Sequence, residues 1–358
     1  MYKIEKKKII ILNKNEFCPK HILECGQIFS FKKTDFGFCV YSSNKIAIIV
    51  EKESHYLLFS DDLQYFWNFF DLGTDYEEIK HYLKTSLIYA RKCKSIANVG
   101  EKPLETFQKF LSEAVDFGEG IRIIKQDLFE VLVSFCVSAN NNIKRITASL
   151  FEFRKKFGEF VCMSEGLQES VLGELVDFYI QKGENQPLER AFVELALGGV
   201  VNTEGGKNAS ELGFYAFPEF SVARCLTEED YRGLGVGYRA PQLVLLMKQL
   251  EDACADGETV SETLNRVGKQ DTARLRRWLM ELSGVGGKVA DCVLLFGYAR
   301  GDVFPVDTWI AKVFERFFGE GFSRVQMREI LVSIFGNLSG VAQQYVFFLI
   351  REKSSDYV

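Results

Sequence analysis

Leu282-Ser-Gly-Val-Gly-Gly-Lys288-Val-Ala-Asp-Cys292, followed by Phe304-Pro-Val-Asp307, places a glycine run, a lysine and an aspartate in one short segment. Helical spacing precedes the glycines and resumes after them, so residues 273–299 read as helix, tight hairpin, helix. Gly284, Gly286 and Gly287 let the backbone approach a ligand closely. A helix N-terminus preceded by glycines is suited to holding a phosphate. A lysine at that point can become an amine nucleophile that forms a Schiff base. A carboxylate from the next loop can stabilise positive charge on a sugar. The set suits an enzyme that grips a DNA backbone and breaks a base–sugar bond.

Outward from this segment, the chain divides in pattern. Aromatic and β-branched runs at 29–33, 36–41, 46–50 and 56–59, with turn residues at Asp35-Phe-Gly37 and Ser43-Asn44, predict a small antiparallel sheet. From Asp61 the spacing becomes helical, at 61–70, 76–90 and 103–117. Beyond Gln126 helix dominates, at 127–138, 143–157, 240–253, 272–282, 288–299, 308–318 and 341–352. Gly158, Gly297 and Gly319 are expected to close three of these. The expected fold is α+β: an N-terminal sheet domain with flanking helices over 1–118, then a helical domain over 119–358. Residues 162–214 are mixed in pattern, with a loop-like stretch at 202–208, and read as an insertion into the helical domain.

Bulk properties set further bounds. The chain has 358 residues, 47% hydrophobic and 26% charged, which is ordinary for a globular protein with sizeable cores. The 32 Phe read mainly as core. A net charge of −5 argues mildly against a nucleic-acid partner, but local patches at Lys144-Arg145, Arg154-Lys155-Lys156 and Arg274-Arg276-Arg277 suit either a nucleic acid or a solvated helix face. Nine scattered Cys, with no C-x-x-C, read as reduced thiols, and none follows Cys292 to form a C-terminal iron–sulfur set. The start shows no signal h-region, and no apolar run reads as long enough to span a membrane. An intracellular protein, in a bacterial cytoplasm, is the expectation.

Several stretches resemble the 8-oxoguanine DNA glycosylase/lyase family of the helix-hairpin-helix superfamily. Lys288 and Asp307 lie 19 residues apart, with Pro305-Val306 before the aspartate, as in bifunctional members. Ser138-Ala-Asn140-Asn-Asn142-Ile-Lys-Arg145-Ile, Leu234-Gly-Val-Gly-Tyr238-Arg239-Ala240, Gly26-Gln27-Ile-Phe29 and Gly340-Val-Ala-Gln343-Gln-Tyr-Val-Phe347 are similar to further family motifs. Most of the likeness falls in the helical half, and the sheet carries little beyond Gly26–Phe29.

The resemblance implies a division of roles. Lys288 attacks the sugar C1′ and Asp307 stabilises the cationic sugar. The Gly26 carbonyl meets the N7–H that distinguishes 8-oxoguanine from guanine. Cys292 and Phe347 sandwich the extruded base, and Gln343 meets its Watson–Crick edge. Asn140 enters the vacated space, Tyr238 wedges beside the opposite base, and Arg145 and Arg239 read the estranged cytosine. Gly284, Val285 and Gly286 hold a backbone phosphate, with a structural monovalent cation at the hairpin. No redox cofactor or catalytic metal is implied. The partner is double-stranded DNA containing oxidised guanine, and the expected state is a monomer. Where several family members carry a histidine, this chain has Trp309.

Plainer readings exist for each residue taken alone. Cys292 and Phe347 suit a core, Gly26 a strand bulge, Asn140 a helix terminus, Tyr238-Arg239 a helix start and Lys288 a surface position. A glycosylase of the same fold for another damaged base would not need Lys288. A damage-binding protein without catalysis would need neither Lys288 nor Asp307.

Overall fold

The computed structural model describes residues 2–85, 101–197 and 212–353. The end of the helix expected over 76–90, the loop at 202–208 and Cys93 lie outside them. In chain order the elements are β1 (Tyr2–Ile4), β2 (Lys8–Ile11), α1 (Pro19–Glu24), β3 (Phe31–Thr34), β4 (Gly37–Ser42), β5 (Lys45–Glu51), β6 (Tyr56–Phe59), α2 (Leu63–Phe69), α3 (Tyr76–Thr85), α4 (Glu101–Phe117), α5 (Leu128–Ser138) and α6 (Ile143–Phe157). Then come β7 (Phe160–Cys162), α7 (Glu165–Gln181), α8 (Pro187–Leu197), β8 (Gly213–Tyr215), α9 (Phe220–Ala223), α10 (Glu228–Arg232), α11 (Ala240–Asp252), α12 (Val260–Val267), α13 (Thr272–Glu281), α14 (Gly287–Phe296), α15 (Thr308–Phe318), α16 (Arg324–Phe335) and α17 (Ser339–Glu352).

The α+β architecture is as expected: an N-terminal antiparallel sheet, then a mostly helical chain. Contacts divide the protein into two compact units, and the boundary is not linear. One unit comprises Met1–Lys14, Ile28–Phe69 and Asn140–Lys248; the other comprises Asn15–Gln27, Phe70–Ala139 and Gln249–Val358. A cut at 118/119 therefore falls inside the second unit.

The first unit holds a six-stranded sheet in the order β1-β2-β6-β5-β4-β3. Alternate residues share a face of a strand. Cys39 and Tyr41 of β4, Ile46, Ile48 and Val50 of β5, and Leu57 and Phe59 of β6 all enter one apolar cluster. The surface covering them is the segment read as an insertion. Paired β7 and β8 frame it, and Leu167, Val171, Leu175 and Tyr179 of α7 with Ala191 and Leu195 of α8 complete the cluster. The four-residue spacing on α7 is one helix stripe. Leu167, Val171 and Leu175 are fully buried, and each contributes roughly 1.5–3 kcal/mol of hydrophobic stabilisation. The described parts of this segment, up to Leu197 and from Leu212, thus serve the sheet rather than interrupting the helices.

The second unit has an aromatic core, which accounts for part of the phenylalanine content. Phe107 of α4 lies 5.1 Å from Phe318 and 5.4 Å from Phe317 of α15, and Phe304 stacks on Phe335 of α16 at 6.1 Å. Arg122 is fully buried and donates to the carbonyls of Glu16, Phe70, Asp71 and Thr74. Local signals set many helix ends: Asn142 and Asp127 cap α6 and α5 through their side chains, and Gly158, Gly297 and Gly319 close α6, α14 and α15. One expectation is corrected. The stretch Arg324–Glu352, 29 residues with an 18-residue window of mean hydropathy 1.2, is long and apolar enough by length and composition to cross a membrane. Gly336 breaks it at a φ of 54°, and α17 packs against α4 and α15 as a core helix.

Candidate active site

The hairpin is built by its glycines. Asp271 caps α13, accepting the Arg274 N–H at 2.9 Å. After Leu282 the chain turns through Gly284, whose φ of 80° is left-handed and strained for any L side chain. The Val285 N–H closes the turn on the Leu282 carbonyl at 3.1 Å. Gln249 braces the turn from outside, accepting the Ser283 N–H at 2.6 Å and donating to the Glu281 carbonyl at 3.1 Å. Gly286 caps α14 without a side chain, and a Cβ there would meet open space. The first amides of α14 are thus left without a side-chain acceptor from the cap, the arrangement that suits an anion.

Helix α14 carries Lys288 and Cys292 one turn apart. The Lys288 Nζ sits 5.1 Å from the centre of the Phe135 ring, which stacks on Phe296. Cys292 is 3% exposed. Burial pushes its thiol up to about 11, although the Lys288 charge and a hydrogen bond from it pull the other way. At neutral pH Cys292 is a neutral thiol, fit for packing against a ring rather than for attack. Asp307 lies at the N-cap of α15 and accepts the Ile310 N–H at 2.9 Å. Burial raises its carboxyl above the ordinary range, opposed by that bond and then by the positive Lys288. Lys288 is therefore in electrostatic reach of both Cys292 and Asp307. Trp309, two residues on, is partly buried, with the Lys312 Nζ 5.9 Å from its ring.

Gly26 is not in a strand, so the plainer reading of a strand bulge does not hold. It follows α1 in an irregular bend with a φ of 83°, and β3 begins only at Phe31. A wall of amide side chains fixes this bend. Gln27, fully buried, donates to the carbonyls of Ile22 at 3.0 Å and Arg122 at 2.8 Å, and its Oε1 accepts the Ile124 N–H at 3.1 Å. Gln126 donates to the Gln27 carbonyl at 2.7 Å, and Gln344 of α17 donates to the Cys25 carbonyl at 2.8 Å. The neighbouring Gln343 is 5% exposed, yet its Oε1 has no hydrogen-bond partner. An orphaned buried acceptor costs about 1–3 kcal/mol, which marks it as a place for a ligand's N–H. Phe347, one turn along, is partly buried.

Asp291, inside the motif quoted first, does something its motif did not announce. It is 1% exposed. Arg276 of α13 reaches it through Nε at 2.8 Å, and Arg328 of α16 through Nε at 2.9 Å. Burial still raises its carboxyl pKa, with the two guanidiniums acting against that rise. The triad ties both hairpin helices to α16. Removing one partner of a buried pair leaves the other charge uncompensated. Asp291→Ala is expected to lower stability by about 2–4 kcal/mol in denaturant unfolding, discounted because both arginines can turn to water. An unchanged midpoint would show that the triad holds nothing.

The remaining predicted residues belong to the other unit. Asn140 is exposed and adopts a left-handed φ of 51°. The Arg239 Nη2 donates to its carbonyl at 2.8 Å, and Nη1 to the Val236 carbonyl at 3.1 Å. The Arg239 guanidinium lies 4.4 Å from the centre of the Tyr238 ring, and Tyr238 is 55% exposed. Asn140, Tyr238 and Arg239 are thus brought together, and Arg239 is largely buried rather than displayed. Arg145, in the first turn of α6, is exposed.

A sequence profile of the N-terminal domain of 8-oxoguanine DNA glycosylases matches residues 9–132. The chain also matches, at TM-score 0.72 and 26% identity, the Clostridium acetobutylicum 8-oxoguanine glycosylase/lyase solved with double-stranded DNA containing cytosine opposite 8-oxoG, over 99% of this chain and 98% of that one. The chain is thus similar to 8-oxoguanine DNA glycosylases both in its N-terminal part and along its whole length. Further relatives are similar at lower coverage. A probable N-glycosylase/DNA lyase of Methanothermobacter thermautotrophicus is 28% identical over 67% of this chain and 66% of its own length, and the N-glycosylase/DNA lyase of Saccharomyces cerevisiae is 26% identical over 90% and 73%. Two readings change. Likeness to this family extends through the N-terminal sheet, where the motifs had shown little beyond Gly26–Phe29. The near-complete overlap with the clostridial enzyme also makes 162–214 part of what the two chains share.

Proposed function

We propose that the protein is a bifunctional glycosylase and β-lyase that removes 8-oxoguanine opposite cytosine from duplex DNA. The observation that carries the reading is Lys288 in electrostatic contact with Cys292 and Asp307, in the unit that also holds the orphaned Gln343 acceptor. Gly284, Val285 and Gly286 hold a backbone phosphate, and a monovalent cation fits the same turn. Asn140 fills the space left by the extruded nucleotide, and Tyr238 wedges beside the opposite base. Arg145 donates to cytosine, while Arg239 reads it from a position that also braces Asn140. Cytosine offers two acceptors to these donors, whereas adenine would oppose them with an amino group.

In the pocket, Cys292 and Phe347 flank the base and the Gln343 Oε1 takes N–H groups from its Watson–Crick edge. The Gly26 carbonyl accepts the N7–H of 8-oxoguanine and repels the N7 lone pair of guanine. The Lys288 amine attacks C1′, the C1′–N9 bond breaks, and the base departs with the bonding electrons and takes up a proton. Asp307 stabilises the positive sugar. The lysine adduct opens to an imine, loss of a C2′ proton expels the 3′ phosphate, and water then frees the lysine. Amine and carboxylate suffice for these steps, and the enzyme works on DNA inside the cell, as a monomer in a bacterial cytoplasm.

The test uses duplexes with 8-oxoguanine opposite each of the four bases. Wild type is expected to nick the cytosine duplex fastest, and Arg145→Ala to narrow the cytosine-over-adenine ratio roughly tenfold or more, since a base contact discriminates by about 1–3 kcal/mol. Equal rates for all four duplexes in wild type would refute the cytosine reading.

A further inference from the structure

Away from the glycine turn, Thr272, Ala273, Arg276, Arg277, Asp302 and Arg328 line a cleft of about 340 Å³. That is at the small end of ligand sites, which run from roughly 300 to 1,000 Å³. Its wall carries three guanidinium groups. Two of them are held in place: the buried Asp291 binds Arg276 and Arg328, whose side chains are only 19% and 17% exposed. Asp291 engages the Nε of each and the Nη2 of Arg276. Among the described residues, the Nη groups of Arg328 and the Nη1 of Arg276 make no hydrogen bond, which leaves their N–H donors for another acceptor. Arg277 is exposed and makes no ion pair among the described residues. The one carboxylate on the wall, Asp302, accepts the Thr272 hydroxyl at 3.0 Å. Three guanidiniums against Asp291 and Asp302 leave one positive charge in excess.

We propose that this cleft binds a phosphate group, separately from the hairpin. Fixed guanidinium forks match phosphate oxygens with little ordering cost, and Arg276 and Arg328 are ordered before any ligand arrives. Thr272 opens α13 and Leu282 follows its end; Arg276 lies roughly 9 Å before Leu282 along the helix at 1.5 Å per residue and its Nη2 reaches the Gly287 carbonyl at 3.4 Å, so the cleft adjoins the start of α14 without including the glycine turn at 284–286. One phosphate chemistry has two sources here, a DNA phosphodiester or a free phosphate compound.

Two probes without any lesion distinguish them, using the full chain. Pyrophosphate is titrated calorimetrically into wild type, Arg277→Ala and Asp302→Asn. Binding of undamaged duplex DNA by the same proteins is followed against salt. With a free-phosphate site, Arg277→Ala weakens pyrophosphate roughly tenfold, and Asp302→Asn tightens it, because asparagine keeps an acceptor for Thr272 and removes the opposing charge. With a phosphodiester site, pyrophosphate is silent and the slope of log affinity on log salt falls by about 0.9 in Arg277→Ala. Variants indistinguishable from wild type with both probes overturn the proposal. Opposite signs for the two variants cannot arise from loss of fold. Because neither probe contains 8-oxoguanine, failure here leaves the base-excision reading untouched.

Discussion

Lys288→Gln is expected to abolish the covalent adduct that borohydride traps between the protein and an 8-oxoguanine duplex. Base release should slow by roughly 10⁴-fold, the scale on which losing a nucleophile costs an enzyme. Affinity for the lesion duplex should stay within a few-fold, because Gly26, Gln343 and Phe347 are untouched. Glutamine is close to lysine in reach and lacks the amine. The Cys292 thiol reports on the same substitution. Lys288 now holds it down against the effect of burial, and in the variant it should titrate higher. A trapped adduct that survives Lys288→Gln would move the nucleophile elsewhere and sink the mechanism. Absence of any adduct in wild type, with tight lesion binding, would instead favour a damage-binding protein.

Asp307→Asn should separate turnover from stability. The catalytic step is expected to slow by roughly 10²–10³-fold, comparable to removing a group aimed at transition-state charge, with lesion binding little changed. The cap on α15 survives, since an asparagine oxygen can accept the Ile310 N–H as the carboxylate does. The carboxyl of Asp307 is raised above its ordinary value of 3.8, chiefly by burial. A raised carboxyl favours the fold fully only when protonated, below the ordinary value, and that contribution is lost as pH climbs through the folded-state pKa. At neutral pH the ionised group therefore costs stability, and asparagine removes the cost. The variant should melt higher than wild type at pH 7, with the gap closing below the ordinary carboxylate range. Melting curves across pH decide this. A variant that melts lower at pH 7, or loses binding in step with turnover, would count against the assignment.

What the sequence disclosed follows from how local each cause is. Helices α6 and α15 were expected over 143–157 and 308–318 and occur there, because Asn142 and Asp307 cap them within three residues. The glycine turn was legible for the same reason, as Gly284 needs its left-handed φ whatever surrounds it. Long-range causes were not legible. β1 and β2 are short and lysine-bearing, and their order comes from pairing β2 with β6 almost fifty residues on. The six residues of α1 are too few to show a period. The apolar stripe of α7 had no meaning until the sheet face it covers was known. Within the site, Lys288, Cys292 and Asp307 stood in quoted motifs, as did Gln27, Asp291 and Gln344. The work of the last three depends on partners far away in sequence: Arg122 for Gln27, Arg276 and Arg328 for Asp291, and Cys25 for Gln344.

The last of those bonds also orders events during synthesis. The Cys25 carbonyl waits for an amide donor 319 residues later. Nascent chains emerge at about 5–20 residues per second and fold from the N-terminal side first, so the peptide beside Gly26 spends tens of seconds or more on the ribosome without its brace. Lys288 and Asp307 both leave the ribosome before Gln344. A chain released between Asp307 and α17 would carry Lys288 and Asp307 but lack the contact that fixes the bend at Gly26. If the Gly26 carbonyl reads the base as proposed, that reading is the last property the protein acquires, arriving only with the helix that also brings Gln343 and Phe347.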